Sequence, residues 1–364
     1  MRVVISAGGT GGHIYPALAI INKIKKEEPN SEFLYIGTHN RMEKDLIPSM
    51  NIPYESIEIT GFIRKLTLEN FKTLTRFLKA RRRCLQLIKD FNPDIVIGAG
   101  GYVTAPVIWA AKKLGHKTFI HEQNSVVGLS NKYLTRYIDK VGVSFESTLN
   151  DFPKEKVSLT GNPCSEKALS TPVAKKSDFG LTEDKKLVLI VMGSLGSKTV
   201  NEKMVEYIYG FRNKNYEVLY VTGENHYEKI KNKRFPDNVK VVPFIKDLPS
   251  IMKKTDLMVS RAGASTMSEI TALGIPTIFI PSPYVTNNHQ YKNAKDLSDK
   301  NAAIILEEND LNKTTFIKMI DDILEDEKKY KTLKENVSKL GIKDSSTRIY
   351  NLLKEMILND KKFY

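Results

Sequence analysis

Short apolar runs recur along the chain, and longer amphipathic stretches separate them. Runs at 2–6, 32–36, 94–98, 117–121, 140–144 and 157–160 are rich in Val, Ile, Leu and Phe. They have the length and composition of buried strands. A second series follows at 187–192, 217–221, 239–242, 256–260, 276–280 and 302–306. Between the runs lie segments with apolar residues at three- and four-residue spacing, the period of a helix with one buried face. Strands alternating with helices build parallel sheets covered on both faces. Two such series predict an α/β chain of two doubly wound, Rossmann-like domains facing across a cleft, with ligands at the strand C-terminal ends. The boundary falls between 161 and 185, where Gly161-Asn162-Pro163, Pro172 and a polar run interrupt the periodicity. From about residue 310 the chain reads as helix only.

Glycine loops follow several of these strands. Residues 6–16 read SAGGTGGHIYP. Gly8, Gly9, Gly11 and Gly12 permit a sharp turn and close approach of backbone to a ligand. Amides at the start of the following helix attract an anion such as a diphosphate. His13, at the end of the loop, is placed to take a proton from a substrate. The loop is not the dinucleotide fingerprint, because the residue three after Gly11 is Ile14. Taken alone, it reads equally as a glycine turn with an incidental histidine.

The second series carries loops of the same kind. Residues 193–199 read GSLGSKT, close to a P-loop, but Ser197 stands directly before Lys198. That disfavours a nucleoside triphosphatase. Ser194 still suits a phosphate or sugar hydroxyl. Residues 260–266 read SRAGAST and open a helix, with Ser265 or Thr266 suited to the N-cap and the amides to a diphosphate. Glu269, about one turn on, reaches a ribose hydroxyl pair, although the helix dipole alone also favours a glutamate there. Loops at 98–102 (GAGGY), 121–124 (HEQN) and 281–290, the last with Asn287, Asn288, His289 and Gln290, gather amides and hydroxyls at strand ends. A sugar needs such directional partners. The alternative for each is a loop that only satisfies its own backbone.

Composition narrows the class. With 364 residues, 41% hydrophobic and 27% charged, the chain has the profile of a soluble globular protein of two domains. No run approaches the ~18 apolar residues of a membrane span, and the first residues enter a strand without a signal-peptide pattern. Cys84 and Cys164 are the two cysteines, too few for a disulfide framework and not spaced as zinc ligands. A reducing cytoplasm is the expected setting. There is no D-x-D metal signature, no Gly-x-Ser-x-Gly elbow and no Cys/His ligand cluster. The net charge is +14, and residues 62–90 hold nine basic and two acidic side chains, half of that total. In the same segment Phe71, Leu74, Leu78, Leu85 and Ile88 recur at helical spacing, and Phe62, Ile63, Leu66 and Phe77 add apolar surface. A basic amphipathic segment suits an anionic membrane, where each cation contributes roughly 1 kcal/mol. Arg81, Arg82 and Arg83 bring that reading level with the alternative, a core helix with a basic solvated face. Nucleic-acid binding rests on the basic balance alone and lacks a motif.

In order along the chain stand GGTGGHIYPALAI, GAGGYVTAP, HEQN, GNP, the loop at 193–196, SRAGAST followed by Glu269, and HQYKNA. Over about residues 1–350 this set resembles the MurG family, the peptidoglycan UDP-N-acetylglucosamine transferases. The resemblance implies a glycosyltransferase B-type fold. The domains are then 1–162, joined by a C-terminal helix at about 344–364, and 163–343. It implies transfer of N-acetylglucosamine from UDP-N-acetylglucosamine to undecaprenyl-diphosphate-linked N-acetylmuramoyl-pentapeptide, lipid I to lipid II. The anomeric centre inverts and a β-1,4 bond forms on the cytoplasmic face of the membrane. The enzyme is then peripheral, uses no cofactor and no metal in the chemical step, binds no nucleic acid, and has other cell-wall synthesis proteins as candidate partners.

The resemblance also carries roles onto matching residues. Thr10, Gly11 and Gly12 match a donor-contacting loop, and His13 the general base. Asn124 matches a donor-side asparagine, Ser194 a serine near the phosphates, and Ile245 the position against uracil. Ala262, Gly263, Ala264, Ser265 and Thr266 match the diphosphate-binding turn. Glu269 matches the ribose-binding glutamate and Gln290 a glutamine near the sugar hydroxyls. The acceptor stays in the bilayer, so Phe62, Ile63, Leu66 and Phe77 are the expected membrane wedges and Arg81, Arg82 and Arg83 the headgroup contacts. Three features depart from the pattern. Cys164 and Ser165 stand where many members carry an arginine after GNP. The serine loop lacks one glycine and a glutamine, and a glutamine pair is reduced to His289-Gln290. The expected mechanism is a single displacement with His13 as base, completed by domain closure. The rivals are a related transferase with another acceptor, a UDP-sugar epimerase, and a non-catalytic UDP-sugar or membrane-binding module.

Overall fold

A computed structural model describes residues 1–60, 68–193 and 197–361, with side chains described throughout except at 68–72 and 359–361. The chain forms two compact units, residues 1–164 with 344–364, and residues 165–343.

In the first unit β1 (Arg2–Ser6) leads to α1 (Gly11–Glu27), β2 (Glu32–Thr38), α2 (Glu43–Ser49) and β3 (Tyr54–Ile57). Then come α3 (Leu68–Phe91), β4 (Ile95–Gly98), α4 (Thr104–Lys113), β5 (Lys117–Glu122), α5 (Leu129–Leu134), β6 (Lys140–Val143) and β7 (Val157–Leu159). Among the described residues these strands form one seven-stranded sheet in the order β3-β2-β1-β4-β5-β6-β7. Its pairings are parallel, Val3 facing Phe33 on one side and Ile95 on the other. Alternation along β1 sends side chains to opposite faces. Val4 joins a core with Ile36, Val96 and Ile120, covered by α3 and α4. Val3 and Ile5 join the other core with Ile97, covered by Ile14, Ala17 and Ile21 of α1.

The second unit begins within α6 (Cys164–Ser170) and continues through β8 (Leu187–Val191), α7 (Lys198–Tyr207), β9 (Glu217–Val221), α8 (Glu224–Ile230), β10 (Val239–Val242) and α9 (Leu248–Met252). There follow β11 (Leu257–Ser260), α10 (Ala264–Leu273), β12 (Thr277–Phe279), α11 (His289–Ser298), β13 (Ile304–Ile305), α12 (Lys313–Glu325) and α13 (Glu327–Lys339). The sheet order is β10-β9-β8-β11-β12-β13, again parallel. Val188 and Ile190 pack with Met204 of α7 and Phe316 and Ile320 of α12.

The last helix, α14 (Ser345–Lys361), belongs to the first unit. Ile349, Leu353 and Met356 join the α1 core, Lys354 Nζ lies 2.6 Å from Glu28 Oε1, and Tyr350 donates to the same oxygen at 3.0 Å.

Two local features differ from the reading of the sequence. Strand β3 is absent from the expected runs. It is an edge strand whose sequence, YESI, offers only Tyr54 and Ile57 as apolar contacts. In α3 the buried face is Ala80, Cys84, Leu87 and Ile88, with Phe77 and Leu85 partly buried against it. Leu74 and Leu78, expected on the packed stripe, are 45% and 52% exposed. At about 100° per residue they point roughly a third of a turn from the face that Ala80 and Cys84 press against the sheet. The small Ala80 and Cys84 allow a close approach there, beside the buried Leu87 and Ile88.

Candidate functional site

In each sheet the strand order reverses once, between β1 and β4 and between β8 and β11. Connections leave such neighbours in opposite directions, and the gap at their C-terminal ends is where open α/β sheets bind ligands.

In the first unit the two loops at that point are joined by Ala99 N donating to Ser6 O at 2.8 Å and Gly8 N to Gly100 O at 3.2 Å. Thr10, at φ −141°, is the N-cap of α1, and its carbonyl accepts from His13 N and Ile14 N. Gly11 and Gly12 begin the helix, where the amides have no intrahelical acceptor. His13 Nδ1 lies 3.0 Å from Gly8 O. A carbonyl only accepts, so Nδ1 carries a proton, and in the neutral ring Nε2 bears the lone pair. That is the arrangement a general base needs. The imidazole sits against Gly100, whose φ is +104° and where any Cβ would overlap the ring. The second glycine loop, read from sequence as a sugar-binding loop, therefore acts at least as the seat of His13.

The HEQN segment ends β5 and divides its roles. His121 is fully buried, its Nε2 donating to Gly161 O at 2.9 Å. Burial pushes its pKa down to about 4, only partly opposed by that bond, so it is neutral and structural at pH 7. Glu122 accepts from the amides of Asn124 and Gly128 and from Asn131 Nδ2 at 2.8–3.0 Å. It thereby holds the loop that presents Asn124, whose side chain also approaches Glu122 at 3.4 Å. After GNP, Cys164 and Ser165 are buried, and Ser165 Oγ donates to Ile342 O at 2.7 Å. Both residues are small and inward, so that position supplies no cation.

In the second unit a cavity of about 280 Å³ opens at the ends of β8, β11 and β12. Ser197, Lys198, Thr199, Arg261, Ser282 and Gln290 are among its lining residues. Arg261 is 7% exposed and organises the cavity wall. Its Nη2 donates to Ser197 Oγ and Glu308 Oε2, each at 2.6 Å, and its Nη1 to Ile280 O at 2.9 Å. Thr199 Oγ1 donates to the other Glu308 oxygen. The buried ion pair thus ties the loop before α10 to the segment after β13, and the Ser197 and Thr199 hydroxyls join the start of α7 to it. The pattern of motifs flagged neither Glu308 nor the pairing of Arg261, because partners 47 residues apart share no local spacing.

Gly263, at φ −72° and ψ 135°, is the N-cap of α10 and has no side chain to satisfy the first-turn amides. Ser265 Oγ is buried there without a hydrogen-bond partner among the described residues, and Asn293 Nδ2 anchors Ala262 O at 3.2 Å. Residues 262–266 therefore offer donors to an anion. Neither Ser265 nor Thr266 caps the helix, as their placement in the sequence suggested. Both lie inside its first turn. One turn on, the surrounding protein raises the Glu269 carboxyl to about 7, with Lys167 opposing. Gln290 Oε1 accepts from Ser282 N at 2.9 Å, which orients its amide at the cavity. Ile245 lies in the loop after β10, partly buried beside exposed Phe244. The cavity lining includes Gln290 but neither Ile245 nor Glu269.

Ser194, Phe62, Ile63 and Leu66 lie outside the described residues. Of the other expected membrane contacts, Phe77 is partly buried against the core. Arg81 stacks on Trp109 with its guanidinium carbon 3.2 Å from the ring centroid. Arg83 pairs with Glu55 at 3.0 Å, while Arg82 is exposed. No helix among the described residues is long and apolar enough to cross a membrane.

Comparison with known proteins accounts for both halves of this arrangement. Residues 3–143 match the glycosyltransferase family 28 N-terminal domain and residues 187–349 the glycosyltransferase family 28 C-terminal domain. A Bacillus cereus protein named UDP-N-acetylglucosamine--N-acetylmuramyl-(pentapeptide) pyrophosphoryl-undecaprenol N-acetylglucosamine transferase 1 is 51% identical over 98% of this chain and 100% of its own. The crystal structure of Acinetobacter baumannii MurG superposes with a TM-score of 0.77 at 29% identity, covering 97% of this chain and 99% of that one. A UDP-GlcNAc 2-epimerase from Neisseria meningitidis, at 16% identity and a TM-score of 0.67 over 98% of this chain and 100% of its own, shares the fold. Two parallel-sheet units with phosphate-suited glycine loops at their switch points, matched from end to end, place this chain in glycosyltransferase family 28.

Proposed function

We propose that the chain transfers N-acetylglucosamine from UDP-N-acetylglucosamine to the 4-hydroxyl of undecaprenyl-diphosphate-linked N-acetylmuramoyl-pentapeptide. The observation that carries this reading is the 51% identity, spanning a relative's full length, to an enzyme named for that transfer. The chemistry of the loops supports it. The acceptor oxygen attacks the anomeric carbon, its proton passes to His13 Nε2, and the bond from that carbon to the diphosphate breaks, so UDP leaves with the electron pair. Attack opposite the leaving group inverts the centre. Charge developing on the diphosphate meets the first-turn amides of α10 and the Ser265 hydroxyl. The ribose hydroxyls fall to Glu269 and the sugar hydroxyls to Gln290, with Thr10, Gly11, Gly12 and Asn124 as donor contacts. Ile245 is assigned to the uracil.

In this reading the chemical step uses no metal or cofactor, helix amides taking the leaving-group charge. The enzyme works at the cytoplasmic face of the membrane. Leu74 and Leu78 are apolar and exposed on α3, beside exposed Lys79 and Arg82. This pairing of greasy and cationic side chains suits an anionic bilayer surface. Arg81 and Arg83, which are stacked and paired, contribute less than their sequence cluster promised.

The test is transfer of labelled N-acetylglucosamine to a lipid-linked muramoyl-pentapeptide with a chelator present. Labelling that requires the acceptor and survives the chelator is expected. Interconversion of the UDP-sugar without transfer indicates an epimerase, and UDP binding without turnover indicates another acceptor or a binding role.

A further inference from the structure

Glu43 opens α2 and is fully buried. A buried carboxylate is costly unless its oxygens are hydrogen-bonded. Here Oε1 accepts from Thr38 N at 3.1 Å and from Thr38 Oγ1 at 2.6 Å, and Oε2 accepts from Gly9 N at 3.3 Å. The carboxylate therefore joins the end of β2 to the glycine turn after β1. Two glycines make room for it. A Cβ on Gly8 would lie 2.5 Å from Glu43 Oε1, and one on Gly37 2.9 Å from Glu43 Cγ. Tyr35 continues the support, donating to Ala7 O at 2.9 Å. Tyr54 donates to Thr38 O at 2.5 Å. Both phenols are shifted upward, by burial first and by the Glu43 charge second.

This turn contains the carbonyl that fixes the imidazole, since His13 Nδ1 bonds Gly8 O. We infer that Glu43 is a positioning residue for the transfer reaction: it holds the Gly8-Gly9 turn in the conformation whose Gly8 carbonyl keeps the proton on His13 Nδ1 and the lone pair on Nε2. The chain of contacts is continuous, from Thr38 through Glu43 to Gly9, and from Gly8 to the ring. Glu43 touches neither reacting group, and the contacts proposed for the uracil, ribose and diphosphate lie in the other unit, so its effect belongs mainly in turnover, with Thr10, Gly11 and Gly12 the donor contacts nearest to the turn it holds. The inference rests on His13 as the base.

Glu43→Gln keeps the size of the side chain but replaces one accepting oxygen with an NH2 that cannot accept. We expect kcat to fall about tenfold or more while KM for UDP-N-acetylglucosamine stays within about twofold. The acid limb of the kcat pH profile should move to lower pH, because a loosened Gly8 carbonyl supports the imidazolium less well. A folded Glu43→Gln enzyme with unchanged kcat overturns the inference. So does a lower kcat with an unmoved acid limb, which is what simple loosening of the fold would produce. His13→Gln is the reference. If it retains full turnover, the base reading falls and this inference with it; if it is inactive while Glu43→Gln is fully active, only the positioning role falls. Should Glu43→Gln not fold, Thr38→Val carries the test by removing one donor to the carboxylate. A kcat loss of about threefold at constant KM, with the same shift of the acid limb, supports the role. An unchanged kcat and profile overturns it.

Discussion

The Glu269 carboxyl is raised into the neutral range, and the ribose role proposed for it would make donor binding sensitive to pH. Its carboxyl sits at about 7 because the surrounding protein disfavours the charge, and Lys167 only partly relieves this. In the proposed role the ionised form accepts from two ribose hydroxyls at once, so UDP affinity should rise more steeply between about pH 6 and pH 8 in the native protein than in Glu269→Gln, as titration calorimetry would read. Stability runs the other way. The folded pKa lies above the ordinary 4.5, so the folded state binds the proton more tightly than the unfolded one. The stabilisation is full below about 4.5 and is lost as pH rises through about 7. Thermal melts should therefore show Glu269→Gln gaining on the native protein at pH 8 relative to pH 5. At the cavity wall the expectation concerns loss of a partner. Arg261 and Glu308 are 9% and 7% exposed at their side chains. Glu308→Ala strands a buried guanidinium, and such breaks cost roughly 3–5 kcal/mol. Urea unfolding would measure it, and a change under about 1 kcal/mol would mean that water replaces the carboxylate.

Elements decide where those residues act. The turn after β1 and the loop after β4 meet because both strands end at the reversal of the sheet, and glycine allows the close fit. At Gly100 the backbone is in the left-handed region and the imidazole occupies the space of a side chain. Gly100→Ala should cut kcat about tenfold or more with UDP affinity retained. Retained kcat would show that the ring moves aside without consequence. Helix α3 gives a second expectation at this scale. Replacing exposed Leu74 and Leu78 with Ser should weaken binding to anionic vesicles in sedimentation more than reversing the charge of Arg83, which is already engaged with Glu55. Equal effects would show that charge alone docks the helix. The periodicity of α3 was legible in the sequence, and Leu85 and Ile88 do face inward, but the burial of Ala80 and Cys84 in place of Leu74 and Leu78 was not legible. Ala80 and Cys84 carry little hydrophobic signal, yet their small size allows the close approach. Strand β3 was hidden for a related reason, since an edge strand needs few apolar residues.

At the scale of the whole molecule, each unit repeats one order of strands, and each places its glycine loops at the same reversal. That plan was legible because strands buried on both faces are near-continuous apolar runs, as at Val3, Val4 and Ile5 or at 187–191. The loops carrying His13 and residues 262–266 were legible too, because glycines and N-terminal turns leave a local signature. The supports were not. Glu43 reaches Gly9 across 34 residues and Glu308 reaches Arg261 across 47, and a single sequence records neither distance. In the proposed mechanism His13, fixed through Gly8, takes the acceptor's proton in the sugar transfer. The most direct measurement is the single-turnover rate of acceptor-dependent transfer by the native enzyme and by His13→Gln, both saturated with UDP-N-acetylglucosamine. A fall of about a hundredfold or more with undiminished donor binding is the predicted result. An unchanged rate in His13→Gln would contradict it.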